Sequence, residues 1–259
     1  MDNLPAKIRD FIGPIKYLEI PNQGAASNVV YVSTYRGEFV IKWASSPPFN
    51  VWLRQENKVL SFLENYKIPS PKGFLYVENH TPPVFESWLV MERLSGKTLR
   101  TRLQEERNSS KRKDLLYNFG HAIKKVHSNQ FHNNSLDNFS WLCKMIDLAQ
   151  YYLEHYEVEG NYKLLNDLVS NQPESVQEAL IHGDCTLDNI MVSGNTITGF
   201  IDWCWGDMGD PRYDLVLATT PSLEAFSEKK DFDAFYKGYG EVRLTTSEIK
   251  YFQDLFKFF

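Results

Sequence analysis

Residues 182–189, His182-Gly183-Asp184-Cys185-Thr186-Leu187-Asp188-Asn189, together with the carboxylate at Asp202, govern how the rest of this chain is read. The octet opens a loop that runs into a β-prone stretch, Asn189-Ile190-Met191-Val192. The turn Ser193-Gly194-Asn195 then leads to a second, Thr196-Ile197-Thr198-Gly199-Phe200-Ile201, which ends at Asp202. Carboxylate, amide and carboxylate are thus expected to converge. A lone Asp after Gly is usually a turn residue. Three polar groups at this spacing are a functional set.

Moving outward, the texture changes near residue 95. Before it, Val29–Val32, Glu38–Lys42 and Trp88–Met91 read as strands, and Arg54–Tyr66 carries Val59, Leu60, Leu63 and Tyr66 at helical spacing. After Gly96, helical patterns dominate: Leu115, Leu116, Phe119, Ile123 and Val126 share one face, and Leu136–Tyr156 and Tyr162–Val169 follow. The expected class is α+β, with residues 1–94 a small sheet lobe carrying one helix and residues 95–259 a larger, mainly helical lobe. The chain has 259 residues, 42% of them hydrophobic, enough for a substantial core. Its net charge of −5 and lack of a basic stripe argue against a nucleic-acid partner. No apolar run reaches the roughly 20 residues of a membrane span, and Met1–Gly13 has no signal-peptide stretch, so a cytoplasmic protein is expected. Cys143, Cys185 and Cys204 are scattered and make neither a metal-ligand pair nor a disulfide framework. The sequence says nothing of oligomeric state.

Phosphoryl transfer from ATP needs a group to orient and deprotonate the attacking hydroxyl and hard oxygen ligands for Mg2+, and little covalent work is left to the protein. Asp184, Asn189 and Asp202 can supply both. The protein-kinase catalytic loop also places His two positions before its Asp and Asn five after it, and His182, Asp184 and Asn189 reproduce that spacing. In Ile181-His182-Gly183-Asp184, Asn189 and Ile201-Asp202-Trp203, and in Gly209-Asp210-Pro211-Arg212-Tyr213-Asp214-Leu215 downstream, the chain resembles the aminoglycoside phosphotransferases and their kinase-like superfamily, which includes choline, fructosamine, macrolide and homoserine kinases.

The resemblance implies a two-lobed protein-kinase-like fold. It also implies that an ATP- and Mg2+-dependent enzyme phosphorylates a small-molecule hydroxyl, with an aminoglycoside as leading acceptor and antibiotic resistance as one role. Asp184 would be the catalytic base, and Asn189 and Asp202 the metal ligands. Gly24-Ala25-Ala26-Ser27-Asn28 looks like the phosphate-covering loop, with Ser27 as a donor. Lys42 would meet the α- and β-phosphates, and Glu56 would orient it. The stretch from Leu89 to Leu94, with Met91 and Glu92, would receive the adenine through its backbone, which leaves GTP open. His182 and Trp203 read as packing groups, and Cys185 as a spacer. A cationic acceptor is expected to meet Asp207, Asp210, the Glu154, Glu157 and Glu159 cluster, and the carboxylate of Phe259. The short interval from Asp202 to Asp214, without Asp-Phe-Gly or Ala-Pro-Glu, sets the chain apart from protein kinases. Macrolide, choline, amino-sugar or homoserine acceptors, or a catalytically silent nucleotide-binding regulator, are the competing readings.

Overall fold

Strands Ile15–Glu19 (β1), Asn28–Thr34 (β2), Glu38–Ala44 (β3), Gly73–Asn79 (β4) and Glu86–Glu92 (β5) form one sheet in the order β1-β2-β3-β5-β4, with every neighbour antiparallel. The computed structural model describes residues 4–21, 28–79, 85–129 and 140–259. The β-branched and aromatic runs of β2, β3 and β5 alternate across the sheet. Phe39 and Ile41 join Val30, Val32 and Val90 in a core closed by Ile8 and Ile12 of a short helix, Ala6–Ile12 (α1). This helix is an addition to the single one expected in the first lobe. Lys42 has the opposite parity on β3 and therefore faces the other side of the sheet. On that side lies Phe49–Leu63 (α2), which buries Leu53, Glu56, Val59, Leu60 and Leu63 at helical spacing. Helix α2 ends three residues earlier than the sequence pattern suggests.

Two compact units emerge: Met1–Lys97 with Ile190–Ser193 and Thr198–Gly206, and Thr98–Asn189 with Gly194–Ile197 and Asp207–Phe259. The second is mainly helical: Leu99–Glu105 (α3), Ser109–His127 (α4), Trp141–His155 (α5), Tyr162–Ser170 (α6), Pro211–Ala218 (α7), Lys229–Tyr239 (α8) and Thr246–Phe256 (α9). Of the helix expected from Leu136, residues 136–139 lie outside the described residues. Local chemistry sets many of the starts. Asn108, Ser140 and Asn161 cap α4, α5 and α6, and Thr245 with Glu248 forms a capping box on α9. Met145, Leu168, Tyr213, Phe252 and Phe258 belong to the core that joins α5, α6, α7 and α9. Short strands complete the chain. Ala179–Ile181 (β7) pairs with Asp207–Gly209 (β10), and Lys97–Thr98 (β6), Ile190–Ser193 (β8) and Thr196–Phe200 (β9) form a second small sheet.

Helices α4 and α8 approach through reciprocal glycines. A Cβ on Gly120 would stand 2.1 Å from the Phe235 carbonyl oxygen, and one on Gly238 would stand 2.0 Å from that of Tyr117. Alanine gains about 1 kcal/mol of helix propensity over glycine, but overpacking a rigid backbone contact costs roughly 1–3 kcal/mol. The clash wins. Gly120→Ala and Gly238→Ala should each lower stability by about 1 kcal/mol net, read as an earlier urea midpoint. A gain in stability would show that the helices separate without cost.

Candidate active site

In the first unit, three charged side chains meet. Lys42 Nζ donates to Glu56 Oε1 and Oε2 at 2.8 and 2.9 Å and to Asp202 Oδ1 at 3.1 Å. Lys42 and Glu56 are almost fully buried, whereas the Asp202 side chain is 40% exposed. Burial alone would lower the Lys42 pKa, but the charges of Asp202 and Glu56 outweigh it and hold the ammonium above its usual range. Burial pushes Glu56 up to about 6 against the pull of Lys42, which still leaves a carboxylate at neutral pH. The cluster therefore presents a fixed cation beside a partly open carboxylate.

Asp202 sits just after β9 with φ 67° and ψ 61°, the left-handed region that few residues other than glycine adopt. Asp is among those that tolerate it. The next residues form one 3-10 turn, Trp203–Trp205, which packs on α2. Trp203 is buried and its Nε1–H donates to Phe200 O at 2.8 Å, while the Trp205 ring lies 5.3 Å from that of Trp52. Trp203 fits the packing role expected of it.

The second unit holds the loop. Gly183 turns the chain at φ 79°, a conformation that explains glycine between His182 and Asp184. Asn189 Nδ2 donates to Asp184 Oδ2 at 2.7 Å and to Asp184 O at 2.9 Å, so the amide just before β8 fixes the candidate base. With its nitrogen so used, the Asn189 amide offers a hard oxygen as its ligand atom. His182 is fully buried and its Nδ1 accepts the Asp184 N–H at 3.2 Å, as a loop-holding imidazole should. Cys185 is also buried, and burial followed by the charges of Asp214 and Asp184 raises its thiol pKa well above normal. It stays a neutral spacer.

A carboxylate to which the sequence reading gave no role anchors this loop. Asp214, buried on α7, accepts the N–H groups of His182 at 2.7 Å and Gly183 at 2.8 Å. His127 Nε2 lies 3.0 Å from the same carboxylate and its Nδ1 lies 2.9 Å from the Tyr239 hydroxyl. Burial would raise the Asp214 pKa. The hydrogen bond and charge of His127, the charge of His182 and the backbone N–H outweigh it and hold the pKa below the usual value. The sign follows directly: a depressed folded-state pKa contributes stability that is complete above the unfolded value, about 3.9, and lost as pH falls through the folded one. Urea unfolding should therefore show a stability gap between wild type and Asp214→Asn that is constant at about pH 5–7 and narrows below about pH 4. A gap that widens on acidification would reverse the assignment.

Of the glycine-led loop, residues 24–27, Ser27 among them, lie outside the described residues, and Asn28 begins β2. Met91 is buried and paired with Val40 and Gly73 in the sheet, and the Glu92 N–H donates to Lys72 O at 2.8 Å. Asp207 is exposed on β10, and Glu154, Glu157 and Glu159 are exposed on or after the end of α5. The Phe259 ring lies 5.6 Å from Tyr152. Asp210 needs correction: it does not face an acceptor but is buried as the N-cap of α7, accepting from Arg212 N–H and pairing with the Arg212 guanidinium. Its charge is spent inside the fold. Asp-Pro-Arg is a helix-start sequence, with Asp at the cap and Pro in the first turn, and that local rule was the available signal.

Among the described residues, no group of three or more His, Cys, Asp or Glu side chains could cage a metal. Magnesium does not need one, since it commonly takes one or two protein oxygens together with substrate phosphates and water. Asn189 and Asp202 have the right donor chemistry. Among the described residues no helix is long and apolar enough to cross a membrane.

Comparison with known proteins gives a consistent picture. Residues 18–248 match the family described as the phosphotransferase enzyme family. An aminoglycoside 3'-phosphotransferase of Niallia circulans is 26% identical over 99% of this chain and 98% of its own length. The crystal structure of an aminoglycoside-3'-phosphotransferase of type VIII superposes with a TM-score of 0.80 at 19% identity, covering 98% of this chain and 97% of that one. A streptomycin-ATP ternary complex of APH(2")-IIa gives a TM-score of 0.64 at 17% identity, over 92% and 83% of the two chains. These likenesses show the kinase-like fold.

Proposed function

We propose that this chain, which belongs to the phosphotransferase enzyme family, moves the γ-phosphate of ATP to a hydroxyl of a small cationic acceptor, an aminoglycoside first among them. The observation that carries the kinase reading is Lys42, buried and held between Glu56 and Asp202. Lys42 serves the α- and β-phosphates, with Glu56 setting its direction. Asp184 orients the acceptor hydroxyl and takes its proton, and Asn189 keeps that carboxylate in place. Asn189 and Asp202 would supply oxygen ligands to Mg2+, whose charge would offset that of the phosphates. The backbone from Leu89 to Leu94 receives the adenine, and the ATP complex of a structural relative supports ATP as donor. The reaction belongs in the cytoplasm, where ATP is made available.

The acceptor follows from similarity over nearly the whole chain to an enzyme named for aminoglycosides, and from exposed acids at Asp207 and Glu157 that suit a polycation. The experiment is an ATP-consumption screen over aminoglycosides, macrolides, choline, amino sugars and homoserine, with Asp184→Asn protein as the blank. Turnover should be fastest with aminoglycosides and fall as salt screens the acceptor's charge. Turnover confined to neutral acceptors, with no salt effect on KM, would refute the acceptor assignment and leave the kinase assignment standing.

A further inference from the structure

The loop between Asp184 and Asn189 is gripped by a side chain with no role in the reading above. Arg100 stands in the first turn of α3, behind the Thr98 cap. Its Nε donates to both carboxylate oxygens of Asp188, at 2.8 and 2.9 Å, and its backbone N–H donates to Leu187 O at 3.2 Å. One residue thus holds the two loop positions immediately before Asn189. The grip is itself anchored. Arg100 Nη1 donates to Glu224 Oε2 at 2.8 Å, Gln104 Nε2 donates to Glu224 Oε1 at 3.1 Å, and Arg112 on α4 donates to the Glu224 carbonyl.

Stability does not account for this arrangement. The Arg100 and Asp188 side chains are 32% and 41% exposed, and pairs of that kind contribute about 0–1 kcal/mol. Position is a different matter, because a shift of about 1 Å in a catalytic group can cost roughly 100-fold in rate. We propose that Arg100 is a positioning residue for phosphoryl transfer, fixing Asp188 so that Asn189, and through its 2.7 Å bond the Asp184 carboxylate, stand where the reaction needs them. The inference rests on the roles given above to Asp184 and Asn189.

The test compares Arg100→Ala, Asp188→Ala, the double variant and Arg100→Lys. Arg102→Ala serves as a structural control from the same helix, since Arg102 bonds to Gly194 O and Glu106 but not to the loop. Arg100→Ala should lower kcat by about 10–100-fold with little change in KM or thermal midpoint. In protein without nucleotide or metal it should also speed amide hydrogen exchange of the 183–190 segment. Asp188→Ala should do the same, and the double variant should be no worse than either single, because the two act as one unit. Lysine should not rescue, since an ammonium lacks the two-pronged geometry. Arg102→Ala should keep near wild-type turnover and exchange. Wild-type kcat with unchanged exchange in Arg100→Ala, or multiplying losses in the double variant, would overturn the proposal. Should wild type transfer no phosphate, or Asp184→Asn retain turnover, the functional reading fails instead, and hydrogen exchange alone decides whether Arg100 orders the loop.

Discussion

Asp184→Asn is expected to reduce turnover by about 10²–10⁴-fold, the usual worth of a positioned base, while ATP affinity stays near wild type. The amide keeps the shape of the side chain, and Asn189 Nδ2 keeps an oxygen partner in place of Asp184 Oδ2. The loop should therefore stay folded on Asp214, which receives the His182 and Gly183 N–H groups independently of residue 184. What disappears is the negative charge that attracts and accepts the hydroxyl proton. A loss confined to kcat, with nucleotide binding intact, identifies an interaction made in the transition state. Single-turnover kinetics with radiolabelled ATP and calorimetric nucleotide binding measure the two quantities separately. Wild-type turnover, or an equal collapse of ATP affinity, would remove Asp184 from the role of base.

Much of this was legible because the relevant signals are local. Strands β2, β3 and β5 and helix α2 announce themselves by composition and period, and His182 to Asn189 lies within one loop. The partnership of Lys42 with Glu56 followed from a known strand-to-helix relation, and the buried ion pair has that geometry. What stayed hidden depends on distance along the chain. Asp214 reads as a charged residue beside Arg212 at the start of a helix that is otherwise apolar; its partners His127 and His182 are 87 and 32 residues away, and only the tertiary fold makes it an anchor. The same holds for Arg100, whose partners Asp188 and Glu224 lie 88 and 124 residues downstream. Strand β1 was obscure for a different reason. It is exposed at every position, so Ile15-Lys16-Tyr17-Leu18-Glu19 has no buried face to impose a pattern. Asp210 was misread because charge near a site was weighed while its capping sequence was not.

Asp202→Ala is expected to abolish Mg2+-dependent nucleotide binding and activity together. Metal-based charge stabilisation is worth several kcal/mol, which corresponds to about 10³-fold or more in rate. Two effects are mixed in that variant. Removing the carboxylate deletes a metal ligand, and it also places alanine at φ 67°, where Asp is tolerated and a side chain without a local hydrogen bond is not. Asp202→Asn separates them, since the amide keeps the left-handed preference and an oxygen but gives up the charge. Lys42 keeps its two bonds to Glu56 in either variant. The local fold of the first unit should therefore survive in Asp202→Asn, with an unfolding midpoint near wild type, while the Mg2+ requirement rises sharply. Calorimetric titration of ATP at a series of Mg2+ concentrations reads this directly. An unchanged Mg2+ titration in Asp202→Ala would exclude Asp202 as a ligand, whereas a normal titration in Asp202→Asn beside a lost one in Asp202→Ala would assign the effect to the strained backbone rather than to the charge.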